Sequence, residues 1–310
     1  MSSTVILWGG FAALISVMLV LDLGVFNRKS HEVSFREALT WTLVWVGLAL
    51  AFNAGVLHFM GTTKALEFLT GYLIEESLSV DNLFVFILIF SYLKVPRAYQ
   101  PKILKWGIIG ALVMRAIFIF VGIELFDRFH WMIYLFGGLL IVTGIKMAFG
   151  GEEEIKPEKN LLVRLTRKFI PITKRLSGDK FFIRRNGIFA ATPLLLTLLV
   201  VESSDVIFAI DSIPAILAVT RDPFIVYTSN IFAIMGLRSL FYLLSNVMEM
   251  FTHLKLGVSI ILAFIGIKML LSSVYPIPIY FSLGVIVGVL AITIITSVTF
   301  GAKGKKSAKR

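Results

Sequence analysis

Nine long apolar stretches dominate this 310-residue chain, at about 4–26, 38–60, 66–93, 102–123, 131–149, 190–219, 224–249, 253–273 and 277–300. A bilayer core of about 30 Å takes roughly 20 residues of helix to cross, and lipid offers no partner for an unpaired backbone N–H or C=O. Each stretch is therefore expected to be a membrane-spanning helix. Composition excludes an ordinary soluble fold, since 57% of the residues are hydrophobic, 16% are charged and the mean hydropathy is +0.89. Soluble domains are nearer 45–50% apolar and about a quarter charged. The first stretch has no basic n-region and no small-residue cleavage site, so it reads as a retained span rather than a signal peptide.

Lys and Arg set the orientation. With the N-terminus outside, the inner loops carry 23 basic residues and the outer loops carry three, Lys64, Arg128 and Arg221. That bias predicts an N-out, C-in protein and accounts for the net charge of +11 as topology anchors rather than a nucleic-acid surface. The chain divides into two leading spans (4–60), a first half (66–149), a cytoplasmic loop (150–188), a second half (190–273), a last span (277–300) and a basic tail (301–310), all in one transmembrane domain. The loop opens on Gly150-Gly151-Glu152-Glu153-Glu154 and turns basic. Leu161, Leu162, Leu165 and Phe169 could lay it on anionic lipid, with a solvated linker as the alternative.

The two halves repeat each other. Gly144-Ile145-Lys146-Met147 returns as Gly266-Ile267-Lys268-Met269, and Arg115 in the fourth span matches Arg238 in the seventh. Glu75-x5-Asp81-Asn82 in the third span matches Asp205-x5-Asp211-Ser212 in the sixth. Each unit holds three spans, an odd number, so consecutive units enter the membrane from opposite sides. The expected fold is all-α and polytopic, with an inverted repeat of spans 3–5 and 6–8, an arrangement whose sites lie near midplane between the repeats.

Six carboxylates fall inside the third and sixth spans: Glu75, Glu76, Asp81, Glu202, Asp205 and Asp211. A central Asp costs about 2.5–3.5 kcal/mol even on insertion scales. Only Arg115 and Arg238 lie near mid-span to oppose them. Four negative charges are left to be protonated, hydrated or neutralised by a bound cation, and each outcome describes an ion or proton pathway. On a regular helix Glu75, Ser79 and Asn82 share one face, as do Glu202 and Asp205. Pro214 removes the hydrogen bond to the Ile210 carbonyl, and a local break there would turn Asp211 inward and add a backbone oxygen ligand. Asp22 reads as an interface residue or part of an inner vestibule. Lys146 and Lys268 read as snorkelling side chains near span ends, and Asn53 and Asn230 as interhelical hydrogen-bonding groups.

The donors are carboxylate, amide, hydroxyl and carbonyl oxygens, which suit hard divalent ions such as Mg²⁺, Ca²⁺ and Mn²⁺. The chain has no cysteine, so thiolate metal sites and thiol redox chemistry are excluded. Nothing implies a prosthetic group, and the nucleotide-binding pattern Gly-x4-Gly-Lys-Ser/Thr is missing. Two mid-membrane aspartates could form a protease dyad, but the expected Gly-x-Gly-Asp is absent. A scaffold that carries nothing is the remaining rival, and the surplus of buried charge argues against it.

Glu-x-Ser-Leu-Ser-x-Asp-Asn at 75–82 and Glu-x2-Asp-x2-Phe-Ala-x-Asp-Ser-x-Pro-Ala at 202–215 resemble the TerC family of bacterial membrane proteins. Thr192-Pro193, Asp222-Pro223-Phe224 and the Gly-Ile-Lys-Met segments agree. The resemblance implies a multi-span inner-membrane exporter of manganese, related to the LysE-type transporters. Its metal site would comprise Asp81, Asp211, Glu75, Asp205, Glu202 and Asn82, supported by Arg115, Arg238, Ser79, Ser212, Ile210 and Asp22. The expected function is secondary transport of Mn²⁺, exchanged for protons, with another cation (Ca²⁺, Mg²⁺ or H⁺) as the alternative. No enzymatic activity is expected, and the expected partners are the lipid bilayer, Mn²⁺ and protons.

Overall fold

A computed structural model describes residues 3–20, 33–149, 163–247 and 254–307, apart from 165, 167, 169, 174, 175, 186, 187, 273 and 276. At 3, 4, 6, 81, 185, 188, 246, 247, 254 and 298–307 the description is of the backbone alone. Asp22 and the loop residues Leu161, Leu162, Leu165 and Phe169 lie outside it.

The described residues form nine long helices: α1 (Ser3–Val20), α2 (Phe35–Met60), α3 (Thr62–Tyr92), α4 (Gln100–Arg128), α5 (Met132–Phe149), α6 (Pro193–Leu217), α7 (Pro223–Val247), α8 (Leu254–Leu271) and α9 (Ile279–Ser307). Six of them are long and apolar enough by themselves to cross a membrane. The acids of α3 keep it out of that set. The boundaries follow local chemistry. Ser34 caps α2 by accepting from the Glu37 N–H at 3.3 Å. Pro193 and Pro223 occupy first-turn positions where no N–H is needed. Asp222 accepts from the N–H groups of Phe224 (3.0 Å) and Ile225 (3.4 Å) and so caps α7. Between α2 and α3 the chain reverses at one residue, Gly61, whose φ of 86° a side chain would resist.

One short element departs from the all-helical expectation. Phe182–Arg185 (β1) pairs antiparallel with Ile188–Ala191 (β2), Phe182 opposite Ala191 and Arg185 opposite Ile188. The hairpin occupies the end of the long loop and delays the start of α6 to Pro193.

α7 is the centre of the bundle, with 89% of its most apolar window buried. It packs against α2, α3 and α4. Trp8, Phe11, Phe52 and Phe232 wedge α1 and α2 onto α7 through ring pairs 4.8–6.3 Å apart. α3 lies against α7 and α4 against α6, while α5 makes its largest interface with α8. Exchanging α3 with α6, α4 with α7 and α5 with α8 leaves that set of neighbours unchanged.

The α5–α8 crossing repeats this exchange in detail. An added Cβ at Gly144 would stand 2.7 Å from the Ser259 carbonyl oxygen, and one at Gly266 would stand 2.6 Å from the Gly137 carbonyl oxygen. Gly144 matches Gly266, and at the same sequence offset Gly137 matches Ser259. One backbone contact is thus made twice with the halves interchanged. Small residues let helices approach this closely where there is no hydrophobic force between them. Gly266→Ala is therefore expected to lower stability by about 1–3 kcal/mol, the usual overpacking cost. Gly138→Ala should be near neutral, because nothing lies within 4 Å of its added Cβ. Thermal unfolding in detergent, followed by size-exclusion chromatography, separates the two; equal midpoints would contradict the close crossing.

Candidate intramembrane ion site

The polar residues of α3, α4, α6 and α7 meet at the middle of the bundle. Arg115 on α4 is wholly buried. Its Nη1 donates to Glu75 Oε1 on α3, to Ser212 Oγ on α6 at 3.0 Å and to Asn230 Oδ1 on α7 at 3.4 Å. Its Nη2 donates to Asp205 Oδ1 at 3.4 Å. The second Glu75 oxygen accepts from Asn230 Nδ2 at 2.9 Å, and Ser79 Oγ lies 3.5 Å from the first. One guanidinium thus serves two carboxylates in a cluster sealed from solvent, and with both ionised the cluster carries one net negative charge.

Several buried atoms of this region keep unused hydrogen-bonding capacity among the described residues: Asp205 Oδ2, Arg115 Nε, Asn82 Nδ2 and Glu76 Oε2. Buried polar groups are rarely left so, and each needs a reason. The other Glu76 oxygen accepts from Tyr72 Oη at 2.9 Å.

Glu202 lies one turn before Asp205 on α6. The two carboxylates and Arg238 border a cavity of about 20 Å³ whose other walls include Leu83, Phe86 and Leu237. That is room for a species the size of a single water. Gly110 on α4 faces the Glu202 carboxylate so closely that no side chain could be added there without moving it. Farther along α6, the half-buried Asp211 accepts from Thr143 Oγ1 of α5 at 3.2 Å, and Lys146 stands one turn beyond Thr143.

The structure therefore joins Glu75, Asp205, Arg115, Ser79 and Ser212 in one cluster, sets Glu202 and Arg238 beside it, and directs Asp211 to α5. Asn82 is buried nearby. The Asp81 side chain lies outside the described residues, although its backbone belongs to α3. Among the described residues, no three His, Asp or Glu side chains group as a resident metal centre would.

Two expectations need correction. The break at Asp211 is absent, since α6 stays helical from Pro193 to Leu217 with Pro214 inside it. Pro214 leaves the Ile210 carbonyl without its helical donor, but the helix runs on past it to Leu217, so Asp211 is turned by the regular helix alone. Ile210, whose carbonyl faces the missing Pro214 N–H, is 45% exposed. Lys268 is buried rather than snorkelling, while Lys146 is exposed. Thr143 was not anticipated, because a lone Thr in an apolar span carries no signal. Asn230 bonds between helices as expected.

The sequence model described as "Integral membrane protein TerC family" matches residues 60–305. The chain belongs to the TerC family. This TerC protein is 54% identical over 291 residues to an uncharacterized membrane protein of Myxococcus xanthus, covering 94% of this chain and 91% of that one. It is 50% identical over 301 residues to Alx of Escherichia coli K12, and equally to Alx of Salmonella typhi, covering 94% of each chain. Alx is named there as a candidate membrane-bound redox modulator. No solved structure matches. The chain is a multi-pass integral membrane protein with bacterial relatives, and the lipid bilayer is its surroundings.

Proposed function

We propose that this TerC protein is a secondary exporter of divalent metal, with Mn²⁺ as its substrate and protons as the exchanged ion. The observation that carries the reading is the sealed cluster in which the single guanidinium of Arg115 pairs with both Glu75 and Asp205, while Asp205 Oδ2 has no donor among the described residues. A negative cluster of this kind inside a bilayer attracts cations, and acids in membrane spans mark ion pathways. Asp211 and Asp81 are assigned as the principal metal ligands. Glu75, Glu202, Asp205 and Asn82 complete the shell or pass protons, and Arg115 and Arg238 balance charge.

The interchange of neighbours between α3–α5 and α6–α8 supports an inverted repeat, with the site between its halves. The basic-residue bias supports an N-out, C-in orientation in the bacterial inner membrane. The choice of Mn²⁺ over Mg²⁺ or Ca²⁺ rests on family resemblance, since oxygen donors accept all three. The reading assigns no catalysis. Thiol–disulfide exchange is not chemistry the chain can perform, because it has no cysteine.

The test is flux from proteoliposomes holding the purified full chain and loaded with Mn²⁺, Mg²⁺ or Ca²⁺. Mn²⁺ should leave fastest, and more quickly when the outside is acidic. Flux indifferent to the pH gradient would remove the exchange with protons. No flux of any of the three ions would remove the transport reading.

A further inference from the structure

A second cavity, of about 790 Å³, opens where α3, α7 and α9 begin and α4, α6 and α8 end. Its charged lining is Lys64, Glu67, Arg221, Asp222 and Lys268. Both acids are already engaged: Lys64 Nζ lies 2.9 Å from Glu67 Oε2 and 2.9 Å from Asp222 Oδ2. Thr220 Oγ1 also donates to Glu67 Oε2 at 2.6 Å. Arg221 reaches Asp127 at 3.4 Å and lies 5.8 Å over the Phe126 ring.

Lys268 is different. It lines the cavity at 9% exposure and has no hydrogen bond or ion pair with any described residue. A lysine so deeply buried is costly unless a negative group answers it. The cavity wall offers no spare carboxylate. The first turn of α9, which begins at Ile279 on the same wall, adds outward-facing N–H groups and the positive end of a helix dipole.

We infer that this cavity binds a small oxyanion, a phosphate or carboxylate, with Lys268 as its principal charged ligand. The chemistry is the same whether the phosphate is free or belongs to an anionic lipid headgroup, and the site is independent of the intramembrane acids.

The test uses the full chain in detergent, following its thermal midpoint in sodium phosphate against sodium chloride of equal ionic strength. Phosphate should raise the midpoint of the wild type by mass action. Lys268→Met should weaken the apparent phosphate affinity at least about tenfold, while Lys268→Arg retains it. Lys102→Met, altering a lysine paired with Asp179 at the opposite end of the bundle, should leave the response intact. A parallel series with phosphatidylglycerol in place of phosphate identifies the source. A Lys268-dependent shift with lipid alone assigns the site to a headgroup, and one with free phosphate assigns it to a soluble anion. A response to both probes that is indifferent to Lys268, or no response to either, would overturn the inference. Because Met fills a volume similar to that of Lys without its charge, the variant is expected to fold, and the Arg variant covers the case in which it does not.

Discussion

Arg115→Met should cost about 3–5 kcal/mol of stability, the penalty for removing one partner of a buried ion pair. Glu75 is wholly buried and Asp205 nearly so, and both lean on this guanidinium. Losing it leaves the two carboxylates without the cation they share, with the neutral groups of Ser79, Ser212 and Asn230 beside them. The double variant Arg115→Met with Glu75→Gln should recover much of the loss, since it removes both charges of the closest pair and Gln can still meet Asn230. The measurement is a double-mutant cycle on the unfolding midpoint of the purified full chain. Additive losses would mean that the two side chains do not depend on each other, and the cluster as described would be wrong.

Asp211→Asn and Asp81→Asn should each lower Mn²⁺ efflux about 100-fold or more, the factor that about 2.7 kcal/mol of lost attraction represents. Asn preserves the shape of Asp211 and can still accept from Thr143 Oγ1, so the protein should insert and chromatograph as the wild type does. That separates this outcome from the Arg115 result, where stability itself falls. The paired variants also probe the repeat, because the two aspartates hold matching positions in α3 and α6. Loss at only one of them would break the equivalence, and normal efflux from either variant would remove that residue from the site.

The bundle was largely legible in the apolar runs, because a bilayer forces a length and a helical state on every span. The hairpin was not, although its signal was present: Asn186-Gly187 separates Phe182-Ile183-Arg184-Arg185 from Ile188-Phe189-Ala190-Ala191. Its second strand merges with the apolar run of α6, so hydropathy alone reads it as the start of a span. Within the site, helical periodicity correctly put Ser79 on the face of Glu75 and Glu202 on the face of Asp205. It could not say which acids Arg115 would answer, because that depends on how four helices cross. Nor could it foresee that Asp211 would find Thr143 on α5, or that Lys268 would be buried while its repeat counterpart Lys146 is exposed.

On this reading a cation that comes and goes balances the surplus of membrane-buried acid. Titrating Mn²⁺ into the full chain in detergent, in buffers of different protonation enthalpy, measures binding and proton release together. Saturable binding that displaces protons, and is lost in Asp211→Asn, is the predicted result. Unchanged binding in that variant, or binding with no proton released, would mean that these acids do not exchange protons for a metal ion.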